Sequence, residues 1–405
     1  MRARRAVVTG MGVVCPGGVG LEGFWSAIRA GTVSTGPLTR FEPVGPRADR
    51  AGEIHGFDDT AAFTRLDPTP LQRSTRLSVA VAKMAVADAG LDEASLAAVA
   101  DRTGIVMGVV VANRPGLEAP IERLYRHPDE PFALSLRPYD VSLVSEAPAI
   151  ELGVRGPNLV LPTACAAGNS AIGCGADLIE DGYADLVIAG AADELSPAMF
   201  VMFMQFGAMS PDLLRPFDKS RRGLILSEGA AVMVLEAEEH ARARGGRVYG
   251  TVLGHGNYAD SYDMTDPHPD GLGARLSMAA ALKESGLSPS DVDYICAHGT
   301  GTVANDAVEA KAIRALFGAH ADSVPVSSIK SVIGHTQGAA SAIEAVTCLL
   351  SIRDGVVPPT MNIETLDPEC PIDVVRDRER PRTVRYALNN AFGFGGNISC
   401  VAFGP

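Results

Sequence analysis

Short apolar runs alternate along this chain with longer stretches in which apolar residues recur every three or four positions. The first pattern marks buried strands and the second marks helices with one covered face. Residues 5–15 predict a strand ending in the turn Cys15-Pro16-Gly17-Gly18, and Phe24 to Ile28 opens a short helix. Residues 31–70, rich in Gly, Pro, Thr and Asp, read as loop. Over 71–90, Leu77, Val81, Met84 and Ala85 share one face of a predicted helix, interrupted by Arg73, Arg76 and Lys83. Residues 105–111 predict a β-branched strand. Residues 113–150 show no clear period and read as irregular, a length of loop that usually serves function or an interface. Further buried strands are expected over 186–189 and 230–236. The charged stretch 236–247 predicts a solvated helix ending at Gly245-Gly246, and with it a boundary between residues 1–245 and 246–405.

Beyond that boundary the same grammar returns. Strands are expected over 247–253, 292–297, 324–329 and 385–390, and helices over 271–286, 305–317 and 335–352. Strands and helices alternating in both halves predict an α/β fold of layered sheets. The halves share an element order but no visible sequence repeat.

One stretch stands apart. Residues 158–175 begin as an apolar run at Leu159, stop at Pro162, and continue through Ala164-Cys165-Ala166-Ala167-Gly168 into a helix carrying Ile172, Ala176 and Ile179 on one face. Cys165 therefore sits on a tight strand-to-helix turn among residues too small to hide its sulfur. A helix N-terminus favours the thiolate, the reactive form of cysteine. A lone cysteine is ordinarily a buried structural one. The setting reverses that preference here.

Composition narrows the class. With 405 residues the chain can bury a large core, and 46% hydrophobic with 20% charged residues is the balance of a globular enzyme. No apolar run approaches the ~20 residues needed to span a bilayer. The basic start Met1-Arg2-Ala3-Arg4-Arg5 precedes an apolar run broken by Gly10, Gly12 and Pro16, and reads as a first strand rather than a signal peptide. Seven scattered cysteines without a CxxC pair argue against a disulfide framework or a structural zinc, and for a reducing cytoplasm. A net charge of −13 argues against nucleic acid or an anionic membrane as partner.

The second half carries groups a cysteine nucleophile needs. His298 stands in Ala297-His298-Gly299-Thr300-Gly301-Thr302, where a strand ends, and His335 in Gly334-His335-Thr336-Gln337-Gly338, at an expected helix start. Lys330 precedes His335 by five residues, and Asp306 and Glu309 open the helix after His298. Each alone is an ordinary core or surface residue; together, at element ends among small residues, they point to chemistry.

These motifs identify a resemblance. Val7-Val8-Thr9-Gly10-Met11-Gly12-Val13, Thr163-Ala164-Cys165, Arg215-Pro216-Phe217-Asp218 and Ser227-Glu228-Gly229-Ala230 occur in this order. They are followed by His298-Gly299-Thr300-Gly301-Thr302, Lys330-Ser331-Val332-Ile333-Gly334-His335-Thr336 and Phe392-Gly393-Phe394-Gly395-Gly396. Over nearly its whole length the chain resembles the β-ketoacyl-acyl-carrier-protein synthases, condensing enzymes of the thiolase fold, of the type II fatty-acid and polyketide branch.

The resemblance implies two similar halves in a five-layered αβαβα arrangement. It implies an acyl group held on Cys165 and a malonyl thioester whose decarboxylation yields an enolate, stabilised by His298 and His335. Backbone N–H groups of Cys165 and Phe394 would form the oxyanion hole. Lys330 would support the histidines with Glu309 as its partner. Thr300 and Thr302 would bind the phosphopantetheine arm, and Phe394 would gate the site. Val111 and Phe203 are expected to line the acyl pocket, and Arg65, Arg73 and Arg76 to dock an acyl carrier protein. No metal or cofactor beyond the carrier-borne phosphopantetheine is implied. Dimers are implied, either homodimers or heterodimers with a chain-length-factor-like subunit, with residues 113–150 near the interface.

Some positions depart from the family pattern. Ala166-Ala167 replaces hydroxyl residues, Arg222 an aspartate, Ser227 and Ser341 glycines, and Asn397 a threonine. None removes a catalytic group, and they leave fatty-acid and specialised polyketide or polyene elongation as open alternatives. A chain-length factor would lack the nucleophile. A thiolase or starter-unit synthase would use a second cysteine or a Cys-His-Asn set, and a cysteine hydrolase would need to position water.

Overall fold

A computed structural model describes residues 4–45, 49–129 and 135–405. Residues 1–3 of the basic start, 46–48 of the 31–70 loop and 130–134 of the stretch expected to be irregular lie outside the described residues.

The first half contributes β1 (Ala6–Cys15), α1 (Arg73–Asp88), β2 (Thr103–Gly108), α2 (Pro115–Arg126), α3 (Leu143–Leu152) and β3 (Asn158–Leu161). It continues with α4 (Ala167–Glu180), β4 (Leu186–Asp193), α5 (Pro197–Gln205) and β5 (Gly229–Ala237). The second half contributes β6 (Gly250–Ala259), α6 (Leu272–Ser285), β7 (Tyr294–Cys296), α7 (Val303–Phe317) and β8 (Val326–Ser327). Then follow α8 (Ala339–Asp354), β9 (Ala387–Gly393) and β10 (Asn397–Gly404).

The strands run β3-β2-β4-β5-β1 in one half and β8-β7-β9-β10-β6 in the other. Each half thus has its third, second, fourth, fifth and first strands side by side. Directions match too: the third, second and fourth strands are parallel, and the fifth is antiparallel to the fourth and the first. The halves join edge to edge through Val7↔Thr251 and Val8↔Gly250. A repeat invisible in the residues is complete in the topology.

β1, β4 and β5 are buried at every position, as near-continuous apolar runs covered on both faces require. The helices that follow the third strands, α4 and α8, pack on each other between the sheets, with α1 outside one sheet and α6 outside the other. The result is the αβαβα layering. The largest core cluster draws Ile172 and Ala176 of α4 together with Ile343 and Val346 of α8. Gly168 permits this contact, because a Cβ there would lie 2.4 Å from the Ala342 nitrogen.

Three expectations need correction. Of the stretch expected to be irregular, Pro115–Arg126 and the residues from Leu143 on are helical: Leu117, Ile121 and Leu124 recur at helical spacing, although Gly116 and Pro120 obscure the period. The stretch 236–247 is not one solvated helix. Glu236 is the buried end of β5, bonded to Thr9, His240 and Arg244, and only Glu238–Ala243 is helical. The helix expected from residue 335 begins at Ala339, because Gln337 takes a left-handed φ of 56° and breaks the turn.

Candidate active site

β3 ends at Leu161, and the chain passes through a 3₁₀ turn, Ala164–Ala166, directly into α4. Ala164 holds a left-handed φ of 50°, a strained state for a residue with a Cβ. The turn is clamped from α8: Ser341 Oγ donates to the Cys165 carbonyl at 3.1 Å and accepts the Asn169 N–H at 3.1 Å. The serine that departs from the family pattern therefore ties the nucleophile turn to the second half. Cys165 is only 8% exposed. The helix terminus was expected to acidify the thiol. Burial outweighs it and pushes the thiol up to about 12, with the Lys330 charge acting in the opposite direction.

His298 follows β7. Glu309, from α7, accepts the N–H groups of His298 at 2.9 Å and Gly299 at 2.8 Å, and Asn390 Nδ2 at 3.1 Å. Burial raises the Glu309 carboxyl to about 7. Glu309 thus shapes the His298 loop. The partner of Lys330 is instead Glu344 of α8, and both side chains are buried. The family resemblance implied Glu309, but its two oxygens are engaged by the His298 and Gly299 N–H groups and by Asn390, whereas Glu344 projects from α8 to the lysine.

Lys330 Nζ also donates to the His298 carbonyl at 2.7 Å and lies 3.5 Å from His298 Nδ1. On the other ring, the Gln337 N–H donates to His335 Nδ1 at 3.1 Å. An ammonium and an amide N–H can only donate, so each Nδ1 acts as acceptor and each Nε2 carries the proton. Burial and the Lys330 charge hold both imidazoles well below their ordinary pKa, so they are neutral. The rings meet edge to face at 5.6 Å, and a nitrogen of each, with the Cys165 sulfur, falls within 4.8 Å of the others. A metal would need the reverse tautomer, with the outer N–H donating to a carbonyl or carboxylate. The arrangement suits two neutral N–H donors facing a thiol.

A cleft of about 370 Å³ leads to this trio, lined by Thr300, Thr302, Met264, Phe206, Phe203 and Phe394 among others. Thr300 and Thr302 hydroxyls lie 3.0 Å apart on a loop held by Asp306, which accepts the Gly301 N–H at 3.1 Å. A second cavity of about 60 Å³ lies behind Cys165, walled by Val110, Met199, Met202, Leu226 and again Phe203 and Phe394. Phe394 stacks on Phe203 at 5.3 Å between the two spaces, on a loop in which Gly395 and Gly396 have φ of 77° and 73°. These values fit glycine alone without strain.

Residues 3–241 match the family described as Beta-ketoacyl synthase, N-terminal domain, and residues 249–364 match Beta-ketoacyl synthase, C-terminal domain. The chain belongs to the β-ketoacyl synthases. It is 38% identical to 3-oxoacyl-[acyl-carrier-protein] synthase 2 of Synechocystis sp., over 100% of this chain and 98% of that protein. Among solved structures, the ishigamide ketosynthase/chain length factor superposes with a TM-score of 0.95 at 36% identity, over 99% of both chains. A type II PKS acyl-carrier protein in complex with its ketosynthase bound to the hexaketide gives 0.91 at 31% identity, over 100% of this chain and 99% of that one. The chain is therefore a condensing acyltransferase of thiolase fold.

Two groups of residues expected at the β-ketoacyl synthase site are placed otherwise. Val110, not Val111, lines the inner cavity: Val111 lies past the end of β2, where its N–H donates to Asp193 at 2.9 Å. The three arginines expected to dock a carrier protein are committed to intramolecular pairs. Arg73 binds Asp59 and Glu228, Arg76 binds Asp59 at 2.8 Å, and Arg65 binds Glu93 at 2.6 Å. Arg73 and Arg76, on α1, hold the loop that carries Asp59, and Arg65 is tied to Glu93, so these three do not form the expected free docking patch.

The synthase site also depends on residues the sequence reading passed over. Asp193, at the end of β4, accepts N–H groups from Val110, Val111, Ala112 and Gly338, and burial raises its carboxyl to about 6. It joins the inner cavity wall to the His335 loop. An acidic residue closing a buried apolar strand, Ala191-Ala192-Asp193, was the available signal. Gln337 and Glu344 lie two and nine residues after His335 and offered none beyond proximity.

Proposed function

We propose that this enzyme elongates an acyl group on Cys165 with a malonyl unit carried by an acyl carrier protein. The observation that carries the reading is the matched pair of neutral imidazoles, each with Nδ1 occupied by a donor and Nε2–H left for substrate. In the first step Cys165 Sγ attacks the acyl thioester, and its proton ends on the departing phosphopantetheine thiol, so a raised thiol pKa needs no permanent base. A malonyl thioester then enters along Thr300 and Thr302. Cleavage of its carboxylate C–C bond releases CO₂ and leaves an enolate, whose oxygen accepts Nε2–H from His298 and His335. Donors fixed in place before the charge develops stabilise it most. The enolate carbon attacks the Cys165 acyl carbonyl, with the Cys165 and Phe394 N–H groups facing the oxyanion. Collapse expels the Cys165 thiolate, which takes a proton from water, and releases a β-ketoacyl thioester two carbons longer.

Lys330 fixes the His298 tautomer, Glu344 neutralises Lys330, Glu309 holds the loop, and Phe394 with Phe203 separates the carrier cleft from the acyl cavity. The same reading divides the chain at 245 and 246 into a nucleophile-bearing and a histidine-bearing half, and calls for no metal or prosthetic group of the enzyme's own. No helix among the described residues is long and apolar enough to cross a membrane, which accords with action in the cytoplasm. The likeness to a ketosynthase/chain length factor supports a second reading, the catalytic subunit of a heterodimer; the alternative is a homodimer.

The test is intact-mass analysis of the protein and of Cys165→Ala after mixing with acyl carrier proteins loaded with several chain lengths, followed by malonyl carrier protein. An adduct on Cys165 that disappears as the extended product forms is the expected result. An adduct seen only with a co-purified partner selects the heterodimer. No adduct under any condition overturns the condensing role.

A further inference from the structure

We infer that Arg222 binds the phosphodiester of the phosphopantetheine arm at the rim of the cleft. The inference rests on the condensing-enzyme reading and adds the anchor for the anionic end of the arm. Among the described residues lining the cleft, Arg222 alone carries a permanent positive charge. Its side chain is 57% exposed, and the nearest carboxylate, Asp212, stands 3.7 Å away, beyond hydrogen-bond reach. Asp212 is itself engaged by Arg215 at 2.8 Å. Arg222 thus has only this loose ion pair and makes no side-chain hydrogen bond among the described residues, unlike Arg73 and Arg76.

Its backbone is held to the thioester path. The preceding Arg221 is buried and donates to the carbonyls of Thr302 at 3.1 Å and Val303 at 2.8 Å, while the following Gly223 donates its N–H to the Gly301 carbonyl at 2.8 Å. Arg222 is thus held between two residues bonded to the Thr300–Thr302 segment and its neighbour Val303. The cleft lining passes from exposed Arg222 through half-buried Thr302 to buried Thr300, His298 and Cys165. A phosphopantetheine thioester has the same polarity, with an anionic phosphodiester at one end, amides along its length and the reacting carbonyl at the other. The guanidinium fork matches two phosphate oxygens.

Three carboxylates also line the cleft. Asp260 accepts the N–H groups of His268 at 2.7 Å and Gly273 at 3.1 Å, and Asp263 those of Thr265 at 2.8 Å and Asp266 at 3.1 Å. Both are thereby turned to their own backbone, and Asp266 is the third. With a net charge of −13, the protein would otherwise repel an anionic arm, so a cation at the rim is what admits it.

The test compares acylation of Cys165 by acyl-phosphopantetheine, by acyl-pantetheine without the phosphate, and by the acyl carrier protein, in wild type, Arg222→Gln, Arg222→Glu and Arg222→Lys. The expected result is that the ratio of kcat/KM for acyl-phosphopantetheine over acyl-pantetheine falls about tenfold in Arg222→Gln, further in Arg222→Glu and less in Arg222→Lys. The carrier-protein substrate should fall in parallel. An unchanged ratio overturns the assignment. So does a loss confined to the carrier protein, which would place Arg222 against the protein surface instead of the phosphate. If wild type accepts none of the three, the condensing reading itself fails, a result separate from either.

Discussion

Lys330 and Glu344 form an ion pair buried on both sides, and the lysine directs its other donors to the His298 carbonyl and Nδ1. Burying two charges costs about as much as their attraction returns, but leaving one unpaired is expensive. Glu344→Gln is expected to lose about 3–5 kcal/mol in urea unfolding, because it strands the lysine charge. Lys330→Met with Glu344→Leu should recover most of that stability and still condense poorly, since His298 Nδ1 then has no donor. A double variant that regains both stability and turnover would reduce the pair to packing.

The two imidazoles should separate decarboxylation from acyl loading. His298→Ala and His335→Ala are each expected to slow malonyl decarboxylation by about 10²–10³, as loss of a preorganised donor does. Acyl transfer to Cys165 should persist, and Gln at either position should restore part of the rate because it keeps an N–H. Equal loss of loading and decarboxylation would contradict the division of roles.

The same rings set a pH response. Their folded pKa values lie well below the ordinary value of about 6.5, so the unfolded chain takes up protons near that pH while the folded protein does not. Their contribution to stability is therefore present above about pH 6.5 and lost as pH falls through the lowered folded values. Decarboxylation should stay level from pH 8 to about 6.5 and decline only in stronger acid. A half-maximal rate near pH 6.5 would mean an unperturbed histidine is required neutral.

Cys165 offers a sharper contest between burial and the helix terminus. With the thiol raised to about 12, its alkylation by iodoacetamide should climb about tenfold per pH unit from 7 to 10 without a plateau. A plateau near pH 7 would mean that the α4 terminus prevails and the thiolate is the resting form.

That contest also marks what the sequence could and could not disclose. Cys165, His298, His335 and Lys330 were legible because each lies at an element end among small residues. The layered α/β fold was legible because buried strands leave unbroken apolar runs such as Ala230 to Leu235. Glu344 was not, because it stands mid-helix and only the packing of α8 under Lys330 gives it a partner. The arginines misled for the complementary reason: Arg73 interrupts an apolar face, but Asp59 and Glu228, both distant in sequence, neutralise it there. The α2 helix was hidden because Gly116 and Pro120, which disfavour helix, interrupt the spacing of Leu117, Ile121 and Leu124. Single-residue chemistry is local in sequence, whereas the choice of partner is decided by tertiary contact.

Phe394 stands where the two cavities meet, and its ring contacts both Phe203 at 5.3 Å and Phe206 at 5.8 Å. Phe394→Ala should join the carrier cleft to the acyl cavity, at a stability cost of about 1 kcal/mol for the lost aromatic pair. With equimolar short and long acyl thioesters competing for Cys165, the variant should load the long chain in greater proportion than wild type does. Phe203→Ala should move the ratio in the same direction. Because the two rings form one wall, the double variant should add little beyond either single change. Fully additive shifts would mean that each ring gates a different space, and an unchanged ratio would assign the selection to Met199 and Met202 deeper in the cavity.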